Sequence, residues 1–552
     1  MRNLSAKNRA QYLSDAEKQE FDLIIIGGGV TGAGIALDAA SRGMKVILLE
    51  KKDFASGTSS KSTKLIHGGL RYLKQVQFGV VYQTGQERSI LYKNAPHLVR
   101  PEPMLLPVIK NGSLGKLTTT IALWVYETLA GVKSEERFKM LNAEQTMKRE
   151  PLLDRSKVLG SAVYTEYRTD DSRLTMSIIK TAVKRGAVCI NYTNVSTFIK
   201  SGENVVGINL EDLFSNKTFS IRGTVVVNAA GPWVDELRKA DGYIGNKHLL
   251  LSKGVHIVFP FEKFPVKQST YFDTSDGRMI FAIPRDGITY VGTTDTEFKG
   301  DADNPLMTND DQTYLIAACN IMFPTLNLKS VDVKSSWTGL RPLIFKEGKG
   351  SSELSRKDEL FESPSGLISI AGGKLTGYRV MAKKTVDLVA KRLKSRGKLF
   401  ESCITASQIL VGGDFSNEDE IARYIEQQIG EAKQIEVPPS LVRQWVYRYG
   451  KETERIVELG YEIWPSIKTK GLVPIIAEMY YCVEEEMVLH PCDFWIRRTG
   501  TLFFNFPNLA KSFETFYPYL AGYLNYSETQ KKEFEYQFYA EMDAVKPSFI
   551  EQ

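Results

Sequence analysis

Three glycines spaced Gly27-x-Gly29-x-x-Gly32, with Glu50 further along, are the first residues whose types and spacing do recognisable chemistry. A glycine at 27 permits a tight turn, one at 29 lets backbone approach a pyrophosphate, and one at 32 lets a helix pack closely on a sheet. Gly34 follows on the same helix, whose N-terminus offers positive potential to phosphates. A carboxylate at Glu50 suits ribose hydroxyls, and the hydroxyl-rich stretch from Ser56 to Thr63 follows directly behind it. Ser59, Ser60 and Thr63 in that stretch are read as donors to a bound dinucleotide rather than as a solvated loop, because of that position. A second glycine turn, Gly372-Gly373-Lys374-Leu375-Thr376, leads from an apolar strand into a helix. Its helix N-terminus can stabilise negative charge on a reduced flavin ring, so the dinucleotide expected is FAD, bound non-covalently.

These residues need elements to position them. The run from Phe21 to Ile26 is continuously apolar, as in a buried parallel strand, and a helical pattern runs from Val30 to about Arg42, capped by Gly43. A second apolar strand, Lys45 to Leu49, ends at Glu50 and completes a βαβ unit. Further buried strands are expected at Thr224–Asn228 and Leu367–Ala371, which indicates an α/β fold with a mostly parallel sheet. Val255–Phe259, Met279–Pro284 and Thr289–Gly292 are short strands separated by turns such as Asp286-Gly287, and they predict an inserted antiparallel sheet over the substrate. From about Ser407 the pattern is amphipathic and helical. The expected organisation is a polar extension over 1–20, a cofactor-binding unit over 21–404 interrupted by substrate segments at about 75–155 and 245–335, and a helical domain over 405–552.

Composition narrows the class. The chain of 552 residues is 43% hydrophobic and 25% charged, and a net charge of +6 at this length gives no reason to expect nucleic acid. Basic residues are not interleaved with aromatics as single-strand binding favours. The five cysteines, Cys189, Cys319, Cys403, Cys482 and Cys492, show no metal-site spacing, so neither a disulfide framework nor a metal is expected. Met1 to Glu20 carries no apolar stretch of the secretory kind, and no apolar run reaches the length that crosses a bilayer. The longest, Leu117 to Ala130 with Trp124 and Tyr126, is read either as a core helix or as a surface that dips into lipid. Arg497-Arg498 reads equally as solvated or as interdomain charge.

Together the motifs resemble the FAD-dependent glycerol-3-phosphate dehydrogenase family of the bacterial respiratory type. Ile26 through Gly43 looks like its first signature and Gly372-Gly373-Lys374-Leu375-Thr376-Gly377-Tyr378-Arg379 its second. Lys64 to Leu73, Asn228 to Trp233, Lys253 to Val258, Gly292 to Asp295, Gly339 to Pro342 and His490 to Thr499 are similar to further stretches of the same family. The resemblance implies a Rossmann-like FAD domain of the D-amino-acid-oxidase type with an inserted antiparallel-sheet substrate domain and a C-terminal helical domain. It adds Leu65, His67, Val195, Gly231, Trp233, Gly373, Lys374 and Thr376 to the cofactor contacts.

The substrate it implies is sn-glycerol 3-phosphate, a dianion. Arg71, Tyr72, Arg341, Arg356 and Lys374 are the substrate-binding candidates, arginine being suited to bidentate phosphate recognition. Oxidation at C2 needs a base, and His256 or His67 can supply it, with Arg341 stabilising the developing alkoxide. Electrons then pass to a quinone at the cytoplasmic membrane, the protein sitting peripherally on its inner face, as a monomer or a homodimer. The competing expectations are an oxidase that uses oxygen and a flavin-binding redox sensor without turnover.

Overall fold

The computed structural model describes residues 3–67, 78–110, 112, 115–130, 136–245, 247–274, 276–345 and 358–547. The candidates Arg71, Tyr72 and Arg356 lie outside the described residues.

The chain's first long strand, β1 (Glu20–Ile26), is buried from Phe21 onward, which its unbroken apolar run requires. It turns into helix α1 (Val30–Ser41) and returns as strand β2 (Val46–Leu49). Gly43, at φ +88°, takes the left-handed conformation that ends the helix. Ile368–Ala371, Lys217–Asn228, β1, β2 and Val188–Ile190 lie side by side in parallel. The strand expected at 224–228 starts seven residues earlier, because its first half pairs antiparallel with Asn204–Asp212 before its second half enters the parallel layer. Helices Asp171–Lys184 and Tyr378–Lys394 pack on α1.

A second, largely antiparallel sheet stands over the C-terminal ends of β1 and β2. Its central strand is β3 (Leu249–Pro260), paired on one edge with β4 (Ile288–Gly292) and on the other with β5 (Ser335–Ile344). Beyond β4 the order runs through Met279–Arg285, Ser269–Asp273, Arg100–Ile109 and Val158–Arg168 to Leu65–Ile66. The apolar face of this sheet closes a separate core around Val255, Ile257, Phe259, Phe264 and Phe323.

The helix expected near 117–130 forms as α2 (Lys116–Ala130), with one face buried and the other exposed. Leu123 and Tyr126 are fully buried, while Leu117, Ile121 and Trp124 are 74%, 55% and 63% exposed. From Glu418 to Ala544 the chain is helical, with one π-helical turn at Asp493–Arg498 buried against the cofactor domain.

Candidate functional site

Local backbone geometry explains the glycine pattern at the cofactor end. Gly27 sits at φ +113°, and a Cβ there would lie 2.6 Å from the carbonyl oxygen of Ala229 at the end of the neighbouring strand. Gly32 leaves room for the Gly27 carbonyl, and Gly34 faces Tyr378. These two serve packing and do not line the cavity. Gly29 ends the turn, and the Ser59 hydroxyl accepts the N–H of Val30 at 2.9 Å, supplying the cap that α1 lacks from its own chain. Glu50, at the end of β2, accepts from the amides of Gly28 at 2.6 Å and Lys52 at 2.9 Å. Burial pushes its carboxyl pKa up, and those two hydrogen bonds oppose the shift.

A cavity of about 820 Å³ runs from this turn to the second sheet. Gly27, Gly29, Glu50, Ser59, Thr63, Leu65, His67, Val195, Gly231, Trp233, Gly373, Lys374 and Thr376 all line it. Ser60 does not: its hydroxyl turns inward toward the Gly57 carbonyl at 3.4 Å. An elongated cavity, a helix N-terminus with a hydroxyl cap and a ribose-height carboxylate together fit a dinucleotide, and the volume falls in the range of cofactor sites.

The other end of the cavity is built on β3. Gly254 and His256 are two residues apart and so share a face. His256 lies opposite Gly292 of β4 and opposite Trp337 of β5. Its imidazole lies against Gly292, where a Cβ would collide with the ring at Cδ2, and stacks on the Trp337 indole at 4.7 Å. Nε2 is hydrogen-bonded to the Thr63 hydroxyl at 2.9 Å, and Nδ1 has no hydrogen-bond partner among the described residues. Burial, reinforced by the charges of Arg341 and Lys64, holds the pKa well below that of an ordinary histidine, so the ring is neutral.

Arg341 of β5 occupies the space that Gly254 leaves open. Its guanidinium donates to Thr293 Oγ1 at 2.8 Å and to the Thr294 carbonyl at 3.2 Å, with Asp295 at 3.5 Å. These partners hold it at the cavity wall without burying it, and its side chain stays 20% exposed. His67 lies edge-on to Phe281 at 5.9 Å, and Phe281 stacks on Tyr271 at 4.1 Å. The cavity thus gathers His67, His256, Arg341 and Lys374 on one cofactor-sized space.

Sequence reasoning missed several of the supporting groups. Lys61 lines the cavity, its ammonium pKa pushed down by burial, and nothing in the hydroxyl-rich loop marked it. Thr293 and Asp295 stand in a motif quoted above, yet only the folded register shows that they hold Arg341. Asp53 was missed as well. Three residues past Glu50, it is fully buried and accepts from Arg497 at 2.5 Å, from Arg498 at 2.7 and 2.9 Å, and from Asn191 at 3.2 Å. Arg498 continues to the Glu486 carbonyl at 2.7 Å, and Arg497 to Asp493 at 2.6 Å. Arg497-Arg498 is therefore interdomain charge, tying the helical tail to the loop that carries Glu50.

Fold and site together define an FAD-dependent oxidoreductase. Residues 22–379 match the family model "FAD dependent oxidoreductase", and residues 403–531 match "C-terminal domain of alpha-glycerophosphate oxidase". The aerobic glycerol-3-phosphate dehydrogenase of Staphylococcus saprophyticus is 49% identical over 99% of this chain and 98% of its own. That of Staphylococcus haemolyticus is 48% identical over 96% of both chains. The crystal structure of the glycerol-3-phosphate dehydrogenase from Bacillus halodurans, complexed with FAD, superposes with a TM-score of 0.86 at 42% identity over the full length of both chains. L-alpha-glycerophosphate oxidase of Mycoplasma pneumoniae, at 18% identity and a TM-score of 0.56, shares the fold. The chain belongs to the aerobic, FAD-dependent glycerol-3-phosphate dehydrogenase family. Among the described residues there is no group that could hold a metal and no helix long and apolar enough to cross a membrane.

Proposed function

We propose that the protein oxidises sn-glycerol 3-phosphate at C2 to dihydroxyacetone phosphate and passes the electrons to a quinone at the inner face of the cytoplasmic membrane. The observation that carries this reading is the pairing of a fixed cation with a neutral imidazole on one cavity wall: Arg341 on Thr293 and Thr294, His256 on Thr63 and Trp337. FAD, held between Gly27–Gly29, Glu50 and Gly373–Thr376, supplies the hydride acceptor.

Arg341 and Lys374 carry the charge that a phosphate dianion needs, Arg341 offering a planar fork already set in place. His256, neutral across the working pH, takes the C2 hydroxyl proton as the C2 hydride departs. The bonds broken are O–H and C2–H, the bond formed is the second C–O bond of the ketone, and two electrons leave with the hydride. Arg341 also lowers the energy of alkoxide character at the reacting oxygen. His67, at the cavity edge, positions the ring of the cofactor. Lipid contact belongs to the exposed face of α2 with Leu117, Ile121 and Trp124, and the helix Phe78–Asn94 packed against it exposes Phe78 and Tyr82 as well.

The test is anaerobic mixing of the holoenzyme with glycerol 3-phosphate. Full bleaching of the flavin absorbance, followed by reoxidation on adding a short-chain quinone without stoichiometric peroxide, is the expected result. No bleaching removes the substrate assignment. Peroxide formed one for one with product in air would make the protein an oxidase.

A further inference from the structure

A second cleft, of about 360 Å³, lies between the antiparallel sheet and the helical tail. One wall is the turn Arg285–Ile288 with Lys334. The other is Gln444 and Arg448 from the helix Pro439–Tyr449, with Thr499 and Phe503–Phe504. None of these residues belongs to the cavity described above.

Three cations, Arg285, Lys334 and Arg448, line this cleft, and their hydrogen-bonding groups are not all used by the carboxylates around it. Arg285 donates through Nη2 to Asp170 at 3.0 Å and through Nε to Asp286 at 3.4 Å and lies over the Phe504 ring at 4.3 Å, yet its buried Nη1 has no acceptor among the described residues. Arg168, outside the lining, holds the Pro284 carbonyl at 2.8 Å and Glu102 at 3.0 Å through Nη2 and leaves its Nε without an acceptor among the described residues. Arg100 stands directly opposite Arg168 on the neighbouring strand, a pairing of like charges that a sheet disfavours. It lies over the Tyr447 ring at 3.7 Å and pairs with no carboxylate among the described residues. Arg448 is shared between Glu478 and the Thr499 carbonyl. The cleft's lining itself carries Arg285, Lys334 and Arg448 against Asp286, while Asp170 and Glu478 pair with the two arginines from outside the lining. An orphaned guanidinium N–H on Arg285, with Arg448 and Lys334 lining the same cleft, calls for an acceptor-rich anion.

We propose that this cleft is a second anion site, taking a phosphate or phosphate monoester group on Arg285, Arg448 and Lys334 and bridging the antiparallel sheet to the helical tail. The group can come from a free phosphate ester or from a lipid headgroup, since the recognising chemistry is the same.

The site is read with inorganic phosphate by titration calorimetry at constant ionic strength, on FAD-loaded Arg341→Ala with Lys374→Ala, in which both cations of the substrate-phosphate position proposed above are removed. One saturable binding event is expected to remain, and adding Arg285→Gln should weaken it at least tenfold. Lys334→Gln, at the exposed rim, provides the same reading if the Arg285 variant does not fold. A remaining event untouched by either substitution, or no saturable event in the Arg341→Ala, Lys374→Ala double variant, overturns the proposal. The reading is separable from the substrate assignment: were Arg341 and Lys374 uninvolved in substrate binding, parent and double variant would bind equally and the Arg285 dependence would persist. Sedimentation with phosphatidylglycerol vesicles identifies the source. Loss of vesicle binding in Arg285→Gln means the headgroup occupies the cleft, and unchanged vesicle binding alongside weakened phosphate binding means a free ester does.

Discussion

Replacing Gly254 with alanine tests whether Arg341 works by position. A Cβ at 254 would stand 2.7 Å from Arg341 Cζ and 2.6 Å from Thr293 Oγ1, where ordinary contact begins at 3.4 Å. The guanidinium must therefore withdraw by roughly 0.7 to 1 Å, an amount that near-attack geometry does not tolerate. The move also stretches its 2.8 Å hydrogen bond to Thr293. Because the closest clashes fall on side-chain atoms, the tip of Arg341 and the Thr293 hydroxyl, and not on backbone, the strand stays intact and the cost falls on function. Gly254→Ala should keep its FAD and melt within about 2 °C of the parent, a shift below roughly 1 kcal/mol for a chain of this size. A displacement near 1 Å lowers kcat/KM by about 10²-fold, equivalent to about 2.7 kcal/mol of transition-state stabilisation. Anaerobic stopped-flow flavin reduction by glycerol 3-phosphate measures it. A variant whose reduction rate constant and KM both stay within about threefold of the parent would refute the argument that Arg341's placement matters.

His256→Asn should slow flavin reduction by roughly 10² to 10⁴ with FAD content preserved. Because the imidazole pKa lies well below the ordinary value, the parent's kcat should show no acidic limb near pH 6.5, and a limb there would assign the base elsewhere. Arg498→Met removes a guanidinium fully buried against Asp53 and Glu486, and breaking such a pair costs about 3 to 5 kcal/mol. The variant should lose FAD on dilution and melt lower, and unchanged flavin retention would free the tail from any part in cofactor binding. Acid should destabilise the fold. His97, His256 and His490 are buried as neutral rings, burial first and nearby arginines second pushing them down, to about 3 for His97 and His490. Below pH 6.5 the unfolded chain takes up protons that the folded one refuses, so stability falls with pH, by about 4 kcal/mol for three histidines at pH 5.5. Asp493, pushed up to about 6, returns about 1 kcal/mol of this. A melting midpoint no lower at pH 5.5 than at pH 7.5 would contradict the assignment of neutral rings.

What could be read from the sequence follows from how local the determining contacts are. The Gly27 turn, α1, β2 and Glu50 form one βαβ unit in which steric need fixes glycine at each position, and an apolar strand buried on both faces leaves an unbroken run. The antiparallel strands showed in their turns, but the pairing of β3 with β4 and β5 did not, because register between distant strands leaves no local signature. For that reason His256 and Arg341 could be named from motifs while the glycines that seat them, Gly292 and Gly254, could not be given a role. Ser60 illustrates the opposite failure: a hydroxyl in the right loop faces inward because adjacent residues in a 3₁₀ turn point in different directions. Asp53 gave no signal at all, since an aspartate in a charged loop acquires meaning only from partners hundreds of residues away.

The distance between Asp53 and Arg498 has a consequence for how the holoprotein is made. The two are 445 residues apart, so the loop that shapes the ribose end of the cofactor site leaves the ribosome long before the groups that secure it. At about 5 to 20 residues per second the wait is roughly 20 to 90 s, far longer than a βαβ unit needs to collapse. During that interval the Asp53 carboxylate has no guanidinium to bury against, and the Glu50 loop beside it is unbraced. Durable cofactor capture is therefore a late event, completed once the last tenth of the chain docks. A chain cut short between Glu50 and Arg497 carries every residue of the glycine fingerprint and still lacks the latch that closes it.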